Sequence, residues 1–529
     1  MISSNIIFAQ DKTEEKEKKE KSNKNLPIKP GRFYDLNTNT GSWMSLDVSP
    51  DGQTIVFDLL GDIYSIPISG GKAKRITKGM AFDSHPKYSP DGESIVYVSD
   101  KSGGNNVWIR DLNSNDSIQI TKEKDNQTAF ADWSKDGDYL IVSKGRRNLK
   151  LHMYHKDGGN GVKLIDKPSS LKIVQPEVGI NDRYIWYANR TNSWQYNAGL
   201  PQYQISKYDR ETGDIKRETS RFGSAFTPTL SPDGKSLVYG TRYEDKTALR
   251  IRNLETGYEK WLAFPVQKDD QESQATMGVL PNMAFTPDSK NLILSYGGKI
   301  NKIDINEGKS YEIPFQINET IEVGPELKFD YEISDEKSMI VNQIRNPSVS
   351  PDNKKITFTA LNKLYVMDLD SNQITRLTSF EDETIEAMPN WGPDGKEIVF
   401  VTWNDNKGGS LYKVRSDGKR EPFLLTQSNE RRINGVYMNP RWNPAGDRIV
   451  FTIGDARNYR SSEGPGAFKS NEKIMWISSK GGQLNYISDS KGRSYPHFVD
   501  GKDRIYLFGN SKGLVSIKWD GTDEKNIIK

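Results

Sequence analysis

The stretch that decides the fold is SPDGQTIVFDLLGDIYSIPISGGKAKRIT, which runs from Ser49 to Thr77. Its first four residues, Ser-Pro-Asp-Gly, suit a type I turn, because proline presets φ at the second position and glycine closes the turn. Gly70-Gly71 permits a tight hairpin, since glycine adopts positive φ without steric cost. Apolar runs lie between these turns. The stretch and its flank predict four antiparallel strands, at 45–48, 55–57, 63–68 and 73–77.

The same turn recurs about ten times along the chain, at intervals of about 40 to 64 residues. The copies are Ser49–Gly52, Ser89–Gly92, Ser134–Gly137, Ser231–Gly234, Thr286–Ser289, Ser350–Asn353 and Gly392–Gly395, with weaker ones after Val178, at Asn443–Gly446 and at Val499–Gly501. Two apolar strands follow each copy. A unit of this length with four strands is typical of a propeller blade. The sequence therefore predicts an all-β fold, a β-propeller of four-stranded blades.

Ten blades exceed the usual four to eight of a single ring, so we predict two propellers. The longest interval, between Thr286 and Ser350, is weakly marked, and we place the boundary there. The first propeller then covers 33–316 with six blades, and the second covers 317–529 with about four. The second either closes alone or forms an incomplete ring. We favour the incomplete ring because Lys529 follows directly on what reads as a blade's third strand.

Composition excludes several classes of function. The 529 residues include 74 basic and 71 acidic side chains, a net charge of +3, which argues against a nucleic-acid groove or a polybasic membrane patch. The absence of cysteine excludes disulfides and thiolate zinc sites. No apolar run approaches the roughly 18–20 residues of a membrane span. We therefore predict no nucleic-acid partner and no transmembrane segment.

The first residues carry the only targeting signal in the sequence. Residues 1–10, MISSNIIFAQ, resemble the end of a secretory signal, with the small residue Ala9 where a cleavage site would stand. A positive leading region and a full apolar stretch are missing, so a plain disordered start is the alternative. Residues 11–32 predict a charged, disordered tether. We expect an exported protein, periplasmic or secreted.

Candidate binding residues come from the predicted start of the innermost strands. A proline stands four residues before the turn proline at Pro86, Pro228, Pro347, Pro389 and Pro440. Proline needs no ladder partner at a strand's first residue, so the loops before it should rim the central channel. From this rim we select Asp83, His85, Glu386 and Arg493 as residues that contact a substrate or partner. The alternative is that these prolines only shape the start of the strand.

Motifs with catalytic or metal-binding potential point to structure instead. His152 and His155 form an H-x-x-H, but on a strand this spacing places the side chains on opposite faces. Gly509–Gly513 matches G-x-S-x-G around Ser511, yet strand-like segments flank it where a nucleophile elbow needs a helix. We predict a hairpin turn at Ser511, and neither a catalytic nor a metal-binding residue.

Several phrases resemble one known family. SLDVSPDGQTIVFDLLGDIYSIPISGG (45–71) and GMAFDSHPKYSPDGESIVYVSDKSGGNNVWIRDL (79–112) are similar to the TolB-like (PD40) propeller region of large exported bacterial amidohydrolases. The resemblance runs from about residue 40 to 529. Shorter versions of the repeat also resemble TolB itself and the propellers of tricorn-type and prolyl-oligopeptidase-type peptidases. In the amidohydrolase family a metal-dependent hydrolase domain follows the propeller. This chain does not contain that domain, so the resemblance implies no cofactor here and a metal only in the absent domain.

Three functions remain open at this point. The first is the non-catalytic propeller part of an exported amidohydrolase-type hydrolase, serving substrate access or partner binding. Its partners would be a protein or peptide-like substrate at the channel face and an associated hydrolase domain. The second is a stand-alone periplasmic scaffold for protein interaction. The third is a peptidase of the prolyl-oligopeptidase or tricorn type.

Overall fold

The computed structural model describes residues 29–123, 127–192, 199–271, 278–326, 331–426, 435–455, 472–499, 501–509 and 513–528. These residues divide into two units, Met1–Asp330 (unit 1) and Tyr331–Lys529 (unit 2). The described residues form strands, turns and coil, and no helix among them is long and apolar enough to cross a bilayer. The all-β prediction is confirmed. The proposed signal at 1–10 and residues 11–28 of the tether predicted at 11–32 lie outside the described residues.

Unit 1 begins with β1 (Arg32–Thr38), and its described residues then form six four-stranded antiparallel sheets, which are blades 1 to 6. Blade 1 has β2 (Leu46–Val48), β3 (Thr54–Leu59), β4 (Asp62–Pro67) and β6 (Lys74–Arg75), with the short β5 (Gly71–Lys72) outside it. Blade 2 has β7 (Asp83–Tyr88), β8 (Ser94–Ser99), β9 (Asn106–Asp111) and β10 (Ser117–Gln119); blade 3 has β11 (Gln127–Trp133), β12 (Tyr139–Gly145), β13 (Lys150–His155) and β14 (Gly158–Ile165). Blade 4 has β15 (Lys172–Val178), β16 (Tyr184–Arg190), β17 (Gln204–Asp209) and β18 (Ile215–Arg217). Blade 5 has β19 (Phe226–Leu230), β20 (Ser236–Tyr243), β21 (Lys246–Asn253) and β22 (Glu259–Lys268); blade 6 has β23 (Ala284–Phe285), β24 (Asn291–Tyr296), β25 (Lys299–Asp304) and β26 (Ser310–Ile313).

The second strand of each blade is apolar on both faces, which identifies a sheet stacked between two others. In β3, Ile55, Val56 and Phe57 are each no more than 1% exposed. Alternate side chains on a strand point to opposite faces, so both faces of this sheet are covered. Each such side chain contributes roughly 1.5–3 kcal/mol when fully buried. The core of unit 1 therefore lies between blades rather than within any one of them.

The recurring turn joins the first two strands of a blade, as the sequence predicts. At Ser49 the backbone N–H of Gly52 donates to the Ser49 carbonyl at 2.8 Å, and Gly52 has φ +71°. The Ser49 hydroxyl donates to Asp51 Oδ1 at 2.5 Å and accepts the N–H of Thr54 at 2.9 Å. The same pair of side-chain contacts recurs at Ser89, Ser134, Ser231, Thr286 and Ser350. Hydrogen bonds between residues of the same short segment thus stabilise each turn.

Unit 1 is a closed ring. Blade 6 meets blade 1 where the N–H of Leu46 donates to the carbonyl of Asn282 at 3.3 Å and the Ser295 hydroxyl donates to the carbonyl of Met44 at 2.7 Å. A separate sheet reinforces this closure: β27 (Phe315–Val323) pairs antiparallel with β1 from Arg32↔Val323 to Thr38↔Ile317, and parallel with β5. This sheet joins the first and last described strands of the unit.

The boundary near residue 317 is placed too early by the sequence. Strand β27 spans that position and belongs to unit 1 through its pairing with β1. The division between the units falls instead between Asp330 and Tyr331. The sequence interval around 317 has weak turn signals because its strand forms no blade of its own.

Unit 2 has four four-stranded antiparallel sheets in its described residues. They are β28 (Arg345–Val349), β29 (Lys355–Ala360), β30 (Lys363–Asp368) and β31 (Ile374–Arg376); β32 (Ile385–Trp391), β33 (Glu397–Asn404), β34 (Gly408–Arg415) and β35 (Phe423–Leu424); β36 (Val436–Trp442), β37 (Arg448–Gly454), β38 (Lys473–Ser478) and β39 (Asn485–Asp489); and β40 (Arg493–His497), β41 (Ile505–Gly509), β42 (Gly513–Ile517) and β43 (Lys525–Ile528). The prediction that the last blade stops after its third strand is wrong, because β43 pairs with β42. The first inner strand, β28, is mostly exposed, unlike the inner strands of unit 1.

The prolines chosen as strand starts lie inside the inner strands instead. Pro86 is the fourth residue of β7, and the pairing register shifts between Ser84 and Lys87. The residue before each of these five prolines has positive φ: His85 54°, Thr227 51°, Asn346 49°, Met388 53° and Asn439 52°. The same holds before Pro176 and Pro496, at Gln175 (51°) and Tyr495 (56°). This is a β-bulge, which leaves one residue unpaired and re-aims its side chain. Proline is tolerated there because the ladder is already interrupted.

Candidate functional site at the axis of unit 1

A cavity of about 380 Å³ lies where the inner strands of unit 1 reach their turns. Each blade contributes to its lining the residue two positions before the first turn residue. In blade order these residues are Asp47, Lys87, Asp132, Glu177, Thr229 and Ala284. Because all six blades take part, the cavity lies on the axis of the ring. We call these six residues the axial ring.

Charge in the axial ring is concentrated on one side. The Nζ atom of Lys87 lies 2.9 Å from Asp132 Oδ1 and 2.6 Å from Glu177 Oε2. Asp47, in the blade before that of Lys87, adds a third carboxyl group. One lysine therefore stands among three acidic residues, and the axial ring is acidic overall.

Burial sets the protonation of this cluster. It raises the pKa of Asp47 to about 7 and also raises the pKa of Glu177, in both cases against the attraction of Lys87. Burial opposes the charged form of Lys87, but attraction to Asp132, Glu177 and Asp47 outweighs it and keeps the pKa of Lys87 above its usual value. The lysine is thus a fixed cation, and the charge of Asp47 varies near neutral pH.

The carboxyl groups of the axial ring also connect neighbouring blades. Asp47 Oδ2 accepts the N–H of Tyr88 at 2.8 Å, and Asp132 Oδ2 accepts the N–H of Val178 at 2.7 Å. In each case the donor lies on the inner strand of the next blade. These groups therefore have an architectural role as well as facing the cavity.

Buried side chains at three of the bulges lie two residues before the axial ring on their inner strands, and none of them lines the axial cavity. Gln175 Nε2 donates to the carbonyl of Leu280 at 2.9 Å, and the Thr227 hydroxyl donates to Gln175 Oε1 at 2.8 Å. The His85 ring packs edge-on against Phe130, with 4.6 Å between ring centroids. All five residues are less than 5% exposed. These buried contacts join blade 2 to blade 3, and blade 4 to blade 5 and to the residues that lead into blade 6.

The predicted binding residues lie on inner strands, and none of them lines the axial cavity. Asp83, Glu386 and Arg493 occupy one equivalent position, six residues before the first turn residue, and each is no more than 5% exposed. Asp83 and His85 share β7, whereas the other two lie on separate strands of unit 2. His85 is 4% exposed, and its ring packs against Phe130 of blade 3.

The contacts of these residues stay within their own units. Glu386 Oε2 accepts the N–H of Leu364 at 2.9 Å and a hydrogen bond from the Thr378 hydroxyl. The guanidinium of Arg493 donates to the carbonyls of Ser490 and Asp489 and pairs with Glu524. These contacts give both residues a structural role, and their contact with a partner stays a prediction.

The rejected catalytic motifs have structural surroundings. His152 and His155 lie on β13, where burial lowers the pKa of His152. No group of three or more potential metal ligands occurs among the described residues. Ser511 lies outside the described residues, but Gly509 and Gly513 on either side are paired in the β41–β42 hairpin.

The axial ring was missed by the sequence analysis, although a signal for it exists. A charged residue stands at the same offset before the turn in four successive repeats: DVSP at Asp47, KYSP at Lys87, DWSK at Asp132 and EVGI at Glu177. Charge in an inner strand, at a fixed position in each repeat, indicates that these side chains converge.

The comparison with protein families agrees with this architecture. The family described as PD40, TolB beta propeller domain, matches residues 27–198, which span the first blades of unit 1. The chain carries a TolB-like β-propeller domain. Relatives include an uncharacterized protein of Agrobacterium fabrum, 30% identical over 135 residues (22% of this chain, 44% of that protein), and the Tol-Pal system protein TolB of Francisella tularensis, 23% identical over 280 residues (51% and 54%).

The TolB-like domain also has similar solved structures. The tricorn protease structure has a TM-score of 0.41 at 14% identity, covering 88% of this chain and 46% of that chain. TolB from Acinetobacter baumannii has a TM-score of 0.26 at 15% identity, covering 75% and 77%. The alignments with the two curated relatives above span about half of those proteins' length.

Proposed function

We propose that this TolB-like protein is a binding scaffold whose axial cavity takes a basic side chain or amino group from a protein partner. The observation that carries the proposal is the axial ring, which places three carboxyl groups and one lysine, Lys87, around a cavity that Lys135 also lines. A cationic group entering the cavity would find partly buried carboxylates, which favour charge-assisted hydrogen bonds. Pockets of this size on a rigid scaffold are common sites of recognition.

Export belongs to the same proposal. The similarity to the Tol-Pal system protein TolB supports a protein that works outside the cytoplasm and contacts other proteins. The proposed amidohydrolase parent draws no support from the relatives named above, so it stays a prediction. A scaffold that binds a protein segment is compatible with either a stand-alone protein or one part of a larger assembly.

The test uses the full chain and a phage-displayed library of random peptides. Selected peptides should carry lysine or arginine, and their affinity should fall at least about tenfold in Asp47→Asn and Glu177→Gln, because each variant removes one charged partner. Asp157→Asn is the matched control, since Asp157 carries the same charge on an exposed turn of unit 1. Peptides that bind all four proteins equally, or a selection without basic residues, would overturn the proposal.

A further inference from the structure

A second cavity, of about 590 Å³, lies between blades 1 and 2, away from the axis. One wall is the segment from Arg75 to Ala81, which leads from the outer strand of blade 1 towards the inner strand of blade 2. The other wall is a face of blade 2 that carries Asp83, Tyr97 and Arg110. We call this cavity the inter-blade cleft. It shares no lining residue with the axial cavity.

One carboxyl oxygen of Asp83 is buried and lacks a hydrogen-bond donor. The residue is 4% exposed, and its Oδ1 atom accepts no hydrogen bond from any described residue. Burial raises the pKa of Asp83, while the Ser99 and Thr77 hydroxyls and Lys101 partly oppose that shift. A buried acceptor without a donor is costly, and native proteins rarely leave one so. A ligand that supplies a donor would satisfy it.

Four basic residues line the cleft, and two of them, Lys101 and Arg110, belong to blade 2. The ammonium group of Lys101 lies 3.7 Å from the centroid of the Trp108 ring and donates to the Tyr97 hydroxyl at 2.7 Å. Arg110 donates through Nη2 to Asn115 Oδ1 at 3.1 Å, but its buried Nε has no partner among the described residues. Neither cation is paired with a carboxylate at salt-bridge distance in the described contacts. Both therefore have capacity for an anionic group.

The other charged residues of the lining are Arg75, the exposed Lys78, and Asp100, whose Oδ1 accepts the N–H of Phe82 at 2.8 Å. Arg75 pairs with Asp62 at 2.7 Å and with Glu322 at 2.6 Å, and its side chain is 2% exposed. This pairing fixes the wall of the cleft. Binding chemistry therefore rests on an acid, Asp83, towards one end and on the cations Lys101 and Arg110.

Strand register sets the separation of the charges. Asp83 is paired with Ser99 on β8, and Arg110 is paired with Ile95 on the same strand. Positions four residues apart share a face of the sheet and are about 13 Å apart along it. Because β7 and β9 flank β8, Asp83 and Arg110 are also about 10 Å apart across the sheet, which places their Cα atoms roughly 16 Å apart. An extended tripeptide spans about 10 Å, and the side chains of Asp83 and Arg110 would cover the rest of the distance.

We propose that the inter-blade cleft binds a short zwitterionic peptide, with its ammonium group at Asp83 and its carboxylate at Arg110 and Lys101. This site is separate from the axial cavity and does not depend on the proposed function. An ammonium group supplies the donor that Asp83 Oδ1 lacks, and a carboxylate supplies the acceptor that Arg110 Nε lacks. The peptide backbone would lie along Tyr97, between the two ends.

Calorimetric titration of the full chain with triglycine tests this proposal. Two capped probes separate the charges: N-acetyl-triglycine lacks the ammonium group, and triglycine amide lacks the carboxylate. Triglycine should bind, and each capped probe should bind roughly 10- to 100-fold more weakly, as expected when a charged hydrogen bond is lost. Equal binding of the three probes, or no binding of triglycine at millimolar concentration, would overturn the proposal.

Variants assign the two ends of the site. Asp83→Asn should reduce triglycine affinity and leave the acetylated probe unaffected, while Arg110→Gln should reduce triglycine affinity and leave the amide unaffected. Lys268→Gln, at an 84% exposed side chain of unit 1, is the charge control and should change nothing. Thermal unfolding of each variant establishes that it is folded. If Asp83→Asn does not fold, the comparison of triglycine with its two capped forms on the unaltered protein still tests the proposed site. A folded Asp83→Asn variant that binds triglycine as tightly as the unaltered protein would contradict the proposal.

Discussion

Lys87 illustrates how one residue combines architecture with a functional surface. It replaces the acid that Asp47 and Asp132 place at the equivalent position of their blades, and it reaches across to blades 3 and 4. A buried ion pair is weak evidence for added stability, because desolvation offsets much of the attraction. Removing Lys87 alone has a larger effect, because it leaves the neighbouring carboxyl groups buried without a compensating positive charge.

We expect Lys87→Met to lower the free energy of unfolding by about 3–5 kcal/mol at pH 8. The loss should shrink as pH falls. Burial raises the pKa of Glu177 in the folded protein, and loss of Lys87 raises it further. A carboxyl group with a raised folded pKa stabilises the fold only while it is protonated, so its contribution is lost as pH rises.

Urea unfolding of the unaltered protein and of Lys87→Met between pH 5 and 8 checks this expectation. The control is Lys156→Met, because Lys156 forms a solvent-exposed ion pair with Asp138, and such pairs contribute little to stability. A Lys87→Met deficit that is constant with pH, or no larger than that of the control, would show that the lysine does not compensate the buried acids.

At the scale of strands, local chemistry specifies the blades and non-local pairing specifies their closure. The Ser-Pro-Asp-Gly turn and the apolar second strand were predictable because each depends on residues close in sequence. The bulge before Pro86 was not, because positive φ at His85 runs against the preference of a non-glycine residue. Nor was β27 assigned to unit 1, since its partner β1 lies almost 300 residues earlier. The axial cavity needs six distant repeats to meet, which no single repeat reveals.

A disulfide across the β1–β27 pair should stabilise unit 1. Asp35 and Thr320 are directly paired, and the Thr320 hydroxyl donates to Asp35 Oδ1 at 2.7 Å. Because the chain has no cysteine, Asp35→Cys with Thr320→Cys can form one intramolecular bond only. Closing so long a loop should add roughly 3–5 kcal/mol through the unfolded state. The unfolding temperature of the double variant should be higher without reductant and should return to that of the unaltered protein when reductant is added. The unfolding temperature of either single variant should not depend on reductant.

At the scale of the whole molecule, the described contacts show how unit 1 closes. Unit 1 closes through blade 6 on blade 1 and through the β1–β27 sheet, whereas the inner strand β28 of unit 2 is mostly exposed. The sequence predicted six and four blades, and both numbers agree with the described sheets. The sequence could not show whether either set of blades closes into a ring, because ring closure depends on packing between the first and last blades.

Fragment 29–330 should therefore fold alone, and fragment 29–316 should be markedly less stable. The shorter fragment ends at the boundary expected from the sequence and removes most of β27, including all residues that pair with β1. Circular dichroism and thermal unfolding of the two fragments make the comparison. A lower or equal unfolding temperature for the longer fragment would contradict the role assigned to β27.

The turns between the first two strands of each blade surround the axial cavity of unit 1, so its lining combines turn residues with the axial ring. Under the proposed function, a partner would reach the carboxyl groups of the axial ring by inserting a projecting side chain or loop among these turns. The same turns that shape the blades would then also frame the entrance for the partner.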